Sequence, residues 1–546
     1  MINKTIGEIL DETASKYPNN DALVYVDKEI RFSYSEFKDE CEKIAKGLMA
    51  LGIKRGDHIA IWSYNVPEWV LLQFASAKIG AVLVTINTYY KSHELNYLLE
   101  QSDCTTLFFV KGFKDVNYVE MVYKVIPELN KSEPGKLNIK RLPYLKNIVY
   151  IGEKTPGGMF NFKEIIALGE KISDEQLKKR QDSLDPNDTI NMQYTSGTTG
   201  FPKGVMLTHY NIVNNAYYVG EVMQMTYRDR MCIPVPFFHC FGCVLSTLNC
   251  VVHGSTMIPI ETFNAEKILQ AVEMERCTAL QGVPTMFIAE LEHPNFSKYD
   301  LSSLRTGIMA GASCPIEVMV NAMSKMHLKE ITICYGLTEA SPVLTQTRRN
   351  DPLQKRVETV GKPLPNIEVK IVDPETKKDL EQNTPGELVA RGYGIMKGYY
   401  KMPKQTETVI HDGWLHTKDL AVMDDDGYFS ILGRIDDMII RGGENVYPRE
   451  IEEYLYTNDK IEDVAVVGVP SRKYGEEVAA FIRLKEGKTS FEDEIKNFCK
   501  DGISRFKIPK YIFFVNEFPM TASGKVKKIE LRELAKQKLE PENTKA

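Results

Sequence analysis

An α/β fold in two parts, a large N-terminal layered domain and a small C-terminal α+β domain, is predicted by three observations. Short β-rich runs alternate with helical patterns through the first part of the chain. Near Asp436 the pattern changes to a compact segment with its own elements. The chain has 546 residues, more than one hydrophobic core ordinarily serves, so two or more domains are expected.

Residues 59–62, 81–86 and 106–110 are runs of apolar, β-branched and aromatic side chains, which predict buried strands. Helical patterns over 67–78 and 92–101 lie between them. This alternation predicts α/β layers with largely parallel strands, and ligand loops at the strands' carboxyl ends. Residues 189–194 read as a further strand, and 424–427 as a turn into a strand over 428–433. Beyond Asp436, helices are expected over 448–456 and 491–500, and strands over 464–469 and 478–484. The domains accordingly span 1–434 and 435–546. The polar residues from Lys536 onward are expected to fray.

Composition narrows the function classes. An apolar fraction of 43% and a charged fraction of 26% are those of a soluble globular protein. A net charge of −6 leaves no electrostatic footprint for nucleic acid, and the basic segment 124–146 reads as a solvated face. Ten cysteines without framework spacing argue for reduced thiols and a cytoplasmic setting. Cys240 and Cys243 have redox-like spacing, but their neighbours are apolar and no second pair completes a zinc site, so packing is the preferred reading. The first eight residues lack a signal-peptide pattern. The most apolar stretch, 70–86, is interrupted by Gln73, Lys78 and Gly80, so no transmembrane span is expected. Peripheral membrane contact and a homodimer stay open.

The most informative stretch is Tyr194-Thr195-Ser196-Gly197-Thr198-Thr199-Gly200-Phe201-Pro202-Lys203-Gly204. Glycines let backbone N–H groups approach an anion closely, hydroxyls add donors, and Lys203 adds a point charge. The loop reads as a cradle for nucleotide phosphates. It is not the common P-loop, in which Gly-Lys is followed at once by Ser or Thr, because here Lys203 lies between Pro202 and Gly204.

The whole string closely resembles the signature loop of the adenylate-forming superfamily, which includes acyl-CoA synthetases, luciferases and peptide-synthetase adenylation domains. At least five motifs follow in the family order over nearly the whole chain. Tyr335-Gly336-Leu337-Thr338-Glu339 resembles the motif that supplies an aromatic contact to adenine, a phosphate-side hydroxyl and a magnesium-binding carboxylate, Glu339. Gly311-Ala312-Ser313 resembles the adenine-pocket strand. Asp419 matches the aspartate that holds the ribose hydroxyls, and Arg434 the arginine beside it. Asp436 matches the hinge about which a mobile small domain turns between adenylation and thioester formation. The Thr521–Lys525 loop belongs to the string Pro519–Lys525 that matches the final motif, whose lysine, Lys525, bridges carboxylate and α-phosphate. His239 resembles a residue bordering the carboxylate pocket, and Gly442 and Gly443 resemble the lining of the pantetheine tunnel. The resemblance thus implies Lys525, Thr195, Glu339 and His239 as the catalytic set. It implies Thr195, Ser196, Gly197, Thr198, Thr199, Gly200 and Lys203 around the phosphates.

The implied activity is an AMP-forming acyl-CoA synthetase using ATP, Mg2+ and coenzyme A. Acetyl-specific relatives carry tryptophan at the position of Gly336, so glycine implies a deeper pocket. The segments expected beside it, 237–245, 282–287 and 341–344, contain no arginine or lysine. An apolar pocket favours an apolar acyl tail. With the continuation 209–215, this looks most like the medium- and long-chain fatty acyl-CoA synthetases. An aryl-CoA ligase, an acyl-AMP ligase loading a carrier protein, and a non-catalytic nucleotide-binding protein are the competing readings.

Overall fold

The computed structural model of the chain describes residues 1–195, 202–311, 314–442, 444–471, 473–521 and 526–543. Two large sheets dominate the N-terminal part. One holds the strands His58–Trp62, Val82–Thr85, Cys104–Val110 and Asn147–Ile151, all parallel, with Thr189–Thr195 parallel to Val82–Thr85. The other runs in parallel through Thr256–Pro259, Arg230–Ile233, Ala279–Gly282, Thr306–Met309 and Glu330–Gly336. The predicted α/β layers are therefore present. Their strands are nearly continuous hydrophobic runs because helices cover both faces. The helix Pro67–Ile79 starts on proline and is stopped by Gly80 in the left-handed region (φ 72°). It is apolar on every side because it is buried on every side.

Antiparallel strands extend both sheets, and a third, antiparallel sheet was not anticipated. It comprises Ile367–Val372, Gly386–Gly392, Ile410–His411, Trp414–Met423 and Phe429–Arg434.

Beyond it lies the C-terminal body, a five-stranded sheet built on the long hairpin Ile461–Ser471 and Gly475–Leu484. Alternation along the first strand sends Val464 and Val466 to a core with Ile451, Leu455 and Ile495. Ala465, Val467 and Val469 go to the other face, under Leu531 and Ala535. The N-terminal core ends at Phe429, and the C-terminal cores begin at Ile439. The last helix runs over Lys528–Asn543 instead of fraying from Lys536. Leu531 and Ala535 are buried, and Leu534 and Leu539 pack against the same core, so one apolar stripe holds the helix to the sheet.

Lys78, which interrupts the most apolar run of the sequence, is buried with 1% exposure. Its ammonium donates to Asp11, to Glu42 at 3.2 Å and to Gln181 at 3.1 Å, joining four helices. A buried charge stands only when so paired.

Candidate active site

Of the predicted site residues, Thr195, Gly311, Tyr335 and Gly336 lie at or just beyond the carboxyl ends of parallel strands, as expected of a layered α/β fold, whereas Asp419 and Arg434 lie on the antiparallel third sheet. Thr189–Thr195 and Lys203–Thr208 form an antiparallel hairpin with Thr195 opposite Lys203, so both ends of the glycine-rich loop are fixed to the sheet. Ser196, Gly197, Thr198, Thr199 and Gly200 fall outside the described residues, as do Ala312, Ser313, Gly443 and Lys525. Gly311, with φ 88°, directly follows the strand Thr306–Met309 and its neighbour Ala310.

Tyr335 and Gly336 end the strand Glu330–Gly336 at an irregularity in its pairing with Val343–Gln346. A β-carbon on Gly336 would sit 1.8 Å from the Pro342 carbonyl oxygen. The backbone's close approach therefore requires glycine here, and the residue does not by itself report pocket depth. Thr338 and Glu339 follow in a single 3-10 turn, and Glu339 is half-buried.

Tyr335, Asp419 and Arg434 meet from three strands. The Tyr335 hydroxyl donates to Asp419 Oδ2 at 2.6 Å, and Arg434 Nε lies 3.3 Å from Asp419 Oδ1. Asp419 stands directly across the ladder from Arg434. Burial, then the Asp419 carboxylate, push the Tyr335 hydroxyl well above its ordinary range, so it remains a donor. This cluster presents a carboxylate, a guanidinium and an aromatic ring at one spot, a set that suits ribose and adenine.

Glu339 is held by a residue that sequence reasoning missed. The Tyr399 hydroxyl donates to Glu339 Oε1 at 2.7 Å, while Lys203 Nζ lies 4.9 Å from the centre of the Tyr399 ring. Magnesium commonly takes one or two carboxylates and fills its remaining positions with water and substrate phosphates. A single oriented carboxylate held by the same tyrosine that Lys203 lies over fits that mode. Among the described residues no group of three or more His, Cys, Asp and Glu could hold a metal ion.

His239 is half-buried at the start of a helical segment, its ring 4.5 Å from that of Phe238. The segment continues as a π-helix over Cys243–Leu248. Wide π turns leave carbonyls short of partners, and buried glutamines supply them. Gln73 Nε2 donates to Cys243 O at 2.8 Å and Gln281 Nε2 to Leu245 O at 3.1 Å. Cys240 and Cys243 are buried, and burial pushes the Cys240 thiol well up and the Cys243 thiol to about 12. Both are thus protonated packing groups rather than redox thiols.

In the C-terminal body, Gly442 sits at φ 63° in the turn between the short strands Ile439–Arg441 and Glu444–Val446. Asp436 lies exposed in the single turn Ile435–Asp437 that joins the two bodies. Arg532 braces that turn by pairing with Asp437 and donating to the Asp436 carbonyl at 3.4 Å. Met520 and Val526 form an isolated antiparallel bridge.

Comparison with known proteins gives the family. Residues 10–400 match the model of the AMP-binding enzyme, and residues 450–525 match that of the AMP-binding enzyme C-terminal domain. The chain belongs to the AMP-binding enzyme family. Its match to the Bacillus subtilis (strain 168) protein YngI is 56% identical and covers 98% of this chain and 97% of that protein. The medium-chain acyl-CoA ligase ACSF2, mitochondrial, of Rattus norvegicus is 43% identical, over 99% of this chain and 89% of the relative. The crystal structure of ATP-bound MatB from Rhodopseudomonas palustris superposes with a TM-score of 0.84 at 27% identity, covering 98% of this chain and 99% of that one. Among the described residues no helix is long and apolar enough to cross a membrane.

Proposed function

We propose that this AMP-binding enzyme is an AMP-forming acyl-CoA synthetase that activates a medium- or long-chain fatty acid. The observation that carries the reading is a pair of clusters, Lys203 and Glu339 held on Tyr399 and Asp419 with Arg434 and Tyr335, which suit polyphosphate, metal and ribose, in a chain whose full-length relatives include a medium-chain acyl-CoA ligase.

The chemistry follows from charge. A carboxylate is a poor electrophile, and transfer of AMP to it converts one oxygen into a good leaving group. The substrates are a fatty acid and ATP in the first step, giving acyl-AMP and pyrophosphate. In the second step the coenzyme A thiol displaces AMP. Asp419 and Arg434 orient the ribose, Tyr335 sits against the base, and Lys203 meets the phosphate oxygens. Mg2+, when bound at Glu339, neutralises phosphate charge that would repel the incoming carboxylate. Lys525 brings a cation to the carboxylate and α-phosphate from the C-terminal domain, residues 435–546. That domain turns at Asp436 against residues 1–434, so that Gly442 and Gly443 line the coenzyme A path afterwards. Separate hydrophobic cores on either side of the 435–437 turn support a hinge there.

The apolar segments after Phe237 and Gly282, with Phe237, Val244, Leu245 and Phe287 buried, support an apolar tail. Ten buried cysteines support a reducing, cytoplasmic setting. CoA-dependent AMP release across straight-chain acids from acetate to oleate, with benzoate alongside, tests the reading. A maximum at medium or long chains is expected. Equal activity on acetate, or activity confined to benzoate-like acids, refutes the substrate assignment. No AMP release with any acid refutes the activity.

A further inference from the structure

Glu339, in the turn after the strand Glu330–Gly336, and Lys203, at the start of Lys203–Thr208, stand at the ends of two different sheets, and one short segment joins them. Met396 N donates to Glu339 O at 2.8 Å. Lys397 N donates to Met206 O at 3.0 Å and Tyr400 N to Gly204 O at 2.8 Å. Gly398–Tyr399 thereby adds a strand to the edge of the phosphate hairpin, with Tyr399 opposite Val205. Alternation puts the side chains of Val205 and Lys203 on one face, so Tyr399 lies diagonally across from Lys203. Tyr399 is 5% exposed, and its ring and hydroxyl have each found a charged group: Lys203 over the face, Glu339 at the tip.

The choice of tyrosine has a physical reason. A lysine or arginine placed at Glu339 would orient the carboxylate but cancel its charge. A phenol hydroxyl donates one hydrogen bond and leaves the negative charge in place for a cation. The ring face attracts the Lys203 ammonium without a formal anion, so the lysine keeps its positive charge for phosphate.

We propose that Tyr399 is a positioning residue for the metal and phosphate end of the site, setting the Glu339 carboxylate with its hydroxyl and the Lys203 ammonium with its ring. This rests on the reading of Glu339 as the Mg2+ carboxylate and Lys203 as the phosphate lysine. Tyr399 touches neither reactant; it acts through the two charges it holds.

The test is calorimetric titration of the full-length protein with ATP, with and without Mg2+, for wild type, Tyr399→Phe, Tyr399→Leu and Glu339→Gln. Tyr399→Phe keeps the ring and removes only the hydroxyl. It is expected to weaken ATP binding about tenfold with Mg2+, the worth of one charge-assisted hydrogen bond, and by less than about twofold without it. Tyr399→Leu also removes the ring and is expected to weaken binding under both conditions. A melting temperature for Tyr399→Phe within a few degrees of wild type shows that the fold is kept. Wild-type ATP affinity in Tyr399→Phe, or an equal loss with and without Mg2+, overturns the proposal. If Glu339→Gln abolishes the Mg2+ effect while Tyr399→Phe leaves it intact, the Tyr399 proposal alone fails. If the Mg2+ effect survives in Glu339→Gln, the metal reading fails and the proposal with it.

Discussion

Lowering the pH should loosen the anchor between the N-terminal segment and the helix that follows the hairpin of Thr189–Thr195 and Lys203–Thr208. His209 begins that helix, His209–Met223, and is fully buried. Its Nδ1 accepts the Ile6 N–H at 3.1 Å, so the ring must carry its proton on Nε2 and stay neutral. Burial lowers its pKa from 6.5 to about 3, against the opposing pull of Asp188 and Asp185. The unfolded chain therefore binds more protons than the folded one between those two values. Stability contributed by the neutral ring is complete above the unfolded pKa and is lost as the pH falls through 6.5 toward 3. From pH 7 to pH 5 the loss worked from these values is about 2 kcal/mol, at about 1.36 kcal/mol per pKa unit. His209→Asn retains an acceptor for Ile6 and does not titrate. Urea unfolding of wild type and variant at pH 7 and pH 5, taken as a difference of differences, cancels the other titrating groups. The variant should lose about 2 kcal/mol less than wild type over this interval. An identical pH dependence in the two proteins would falsify the argument and mean that His209 is protonated or solvated in the folded state.

Further consequences concern catalysis and stability. Lys525→Ala should abolish acyl-AMP formation while sparing transfer from supplied acyl-AMP to coenzyme A; equal losses in the two half-reactions would assign Lys525 a shared or structural role. Asp419→Asn removes the charge that meets Arg434 and that the proposed function assigns to the ribose hydroxyls. It should raise KM for ATP roughly tenfold or more, since a hydrogen bond to a charged group contributes about 1.5–3 kcal/mol, and an unchanged KM would remove Asp419 from the nucleotide site. Lys78→Ala leaves Asp11 and Glu42 facing each other without their cation, and should cost about 3 kcal/mol in unfolding free energy. Thermal unfolding unchanged from wild type would show that the cluster is not a structural tie. An Asp436→Pro variant should restrict the turn at 435–437 and slow thioester formation more than adenylation, measured as separate half-reactions; unchanged rates in both would exclude a hinge there.

Much of this protein was determined by its sequence alone, because the relevant physics is local. Strands such as Cys104–Val110 and helices such as Ser92–Gln101 are encoded by periodicity and flanking residues within one element. The glycine-rich loop was legible as a candidate phosphate cradle for the same reason, its residues being packed into eleven consecutive positions, but the return strand Lys203–Thr208 that makes a hairpin of it was not. What only the tertiary structure decided depends on residues far apart in sequence. Tyr399 is one of 27 tyrosines and carries no local mark. Its hydroxyl meets Glu339, 60 residues away, only because the strand Gly398–Tyr399 adds to the edge of the hairpin. The glycine at 336 looked like a statement about substrate size until Pro342 folded back within 1.8 Å of where a side chain would begin. Lys78 looked like a break in an apolar run, but carboxylates from two other helices let it be buried. Local pattern records what a residue prefers. Long-range packing decides which charges, rings and carbonyls it must satisfy once it is there.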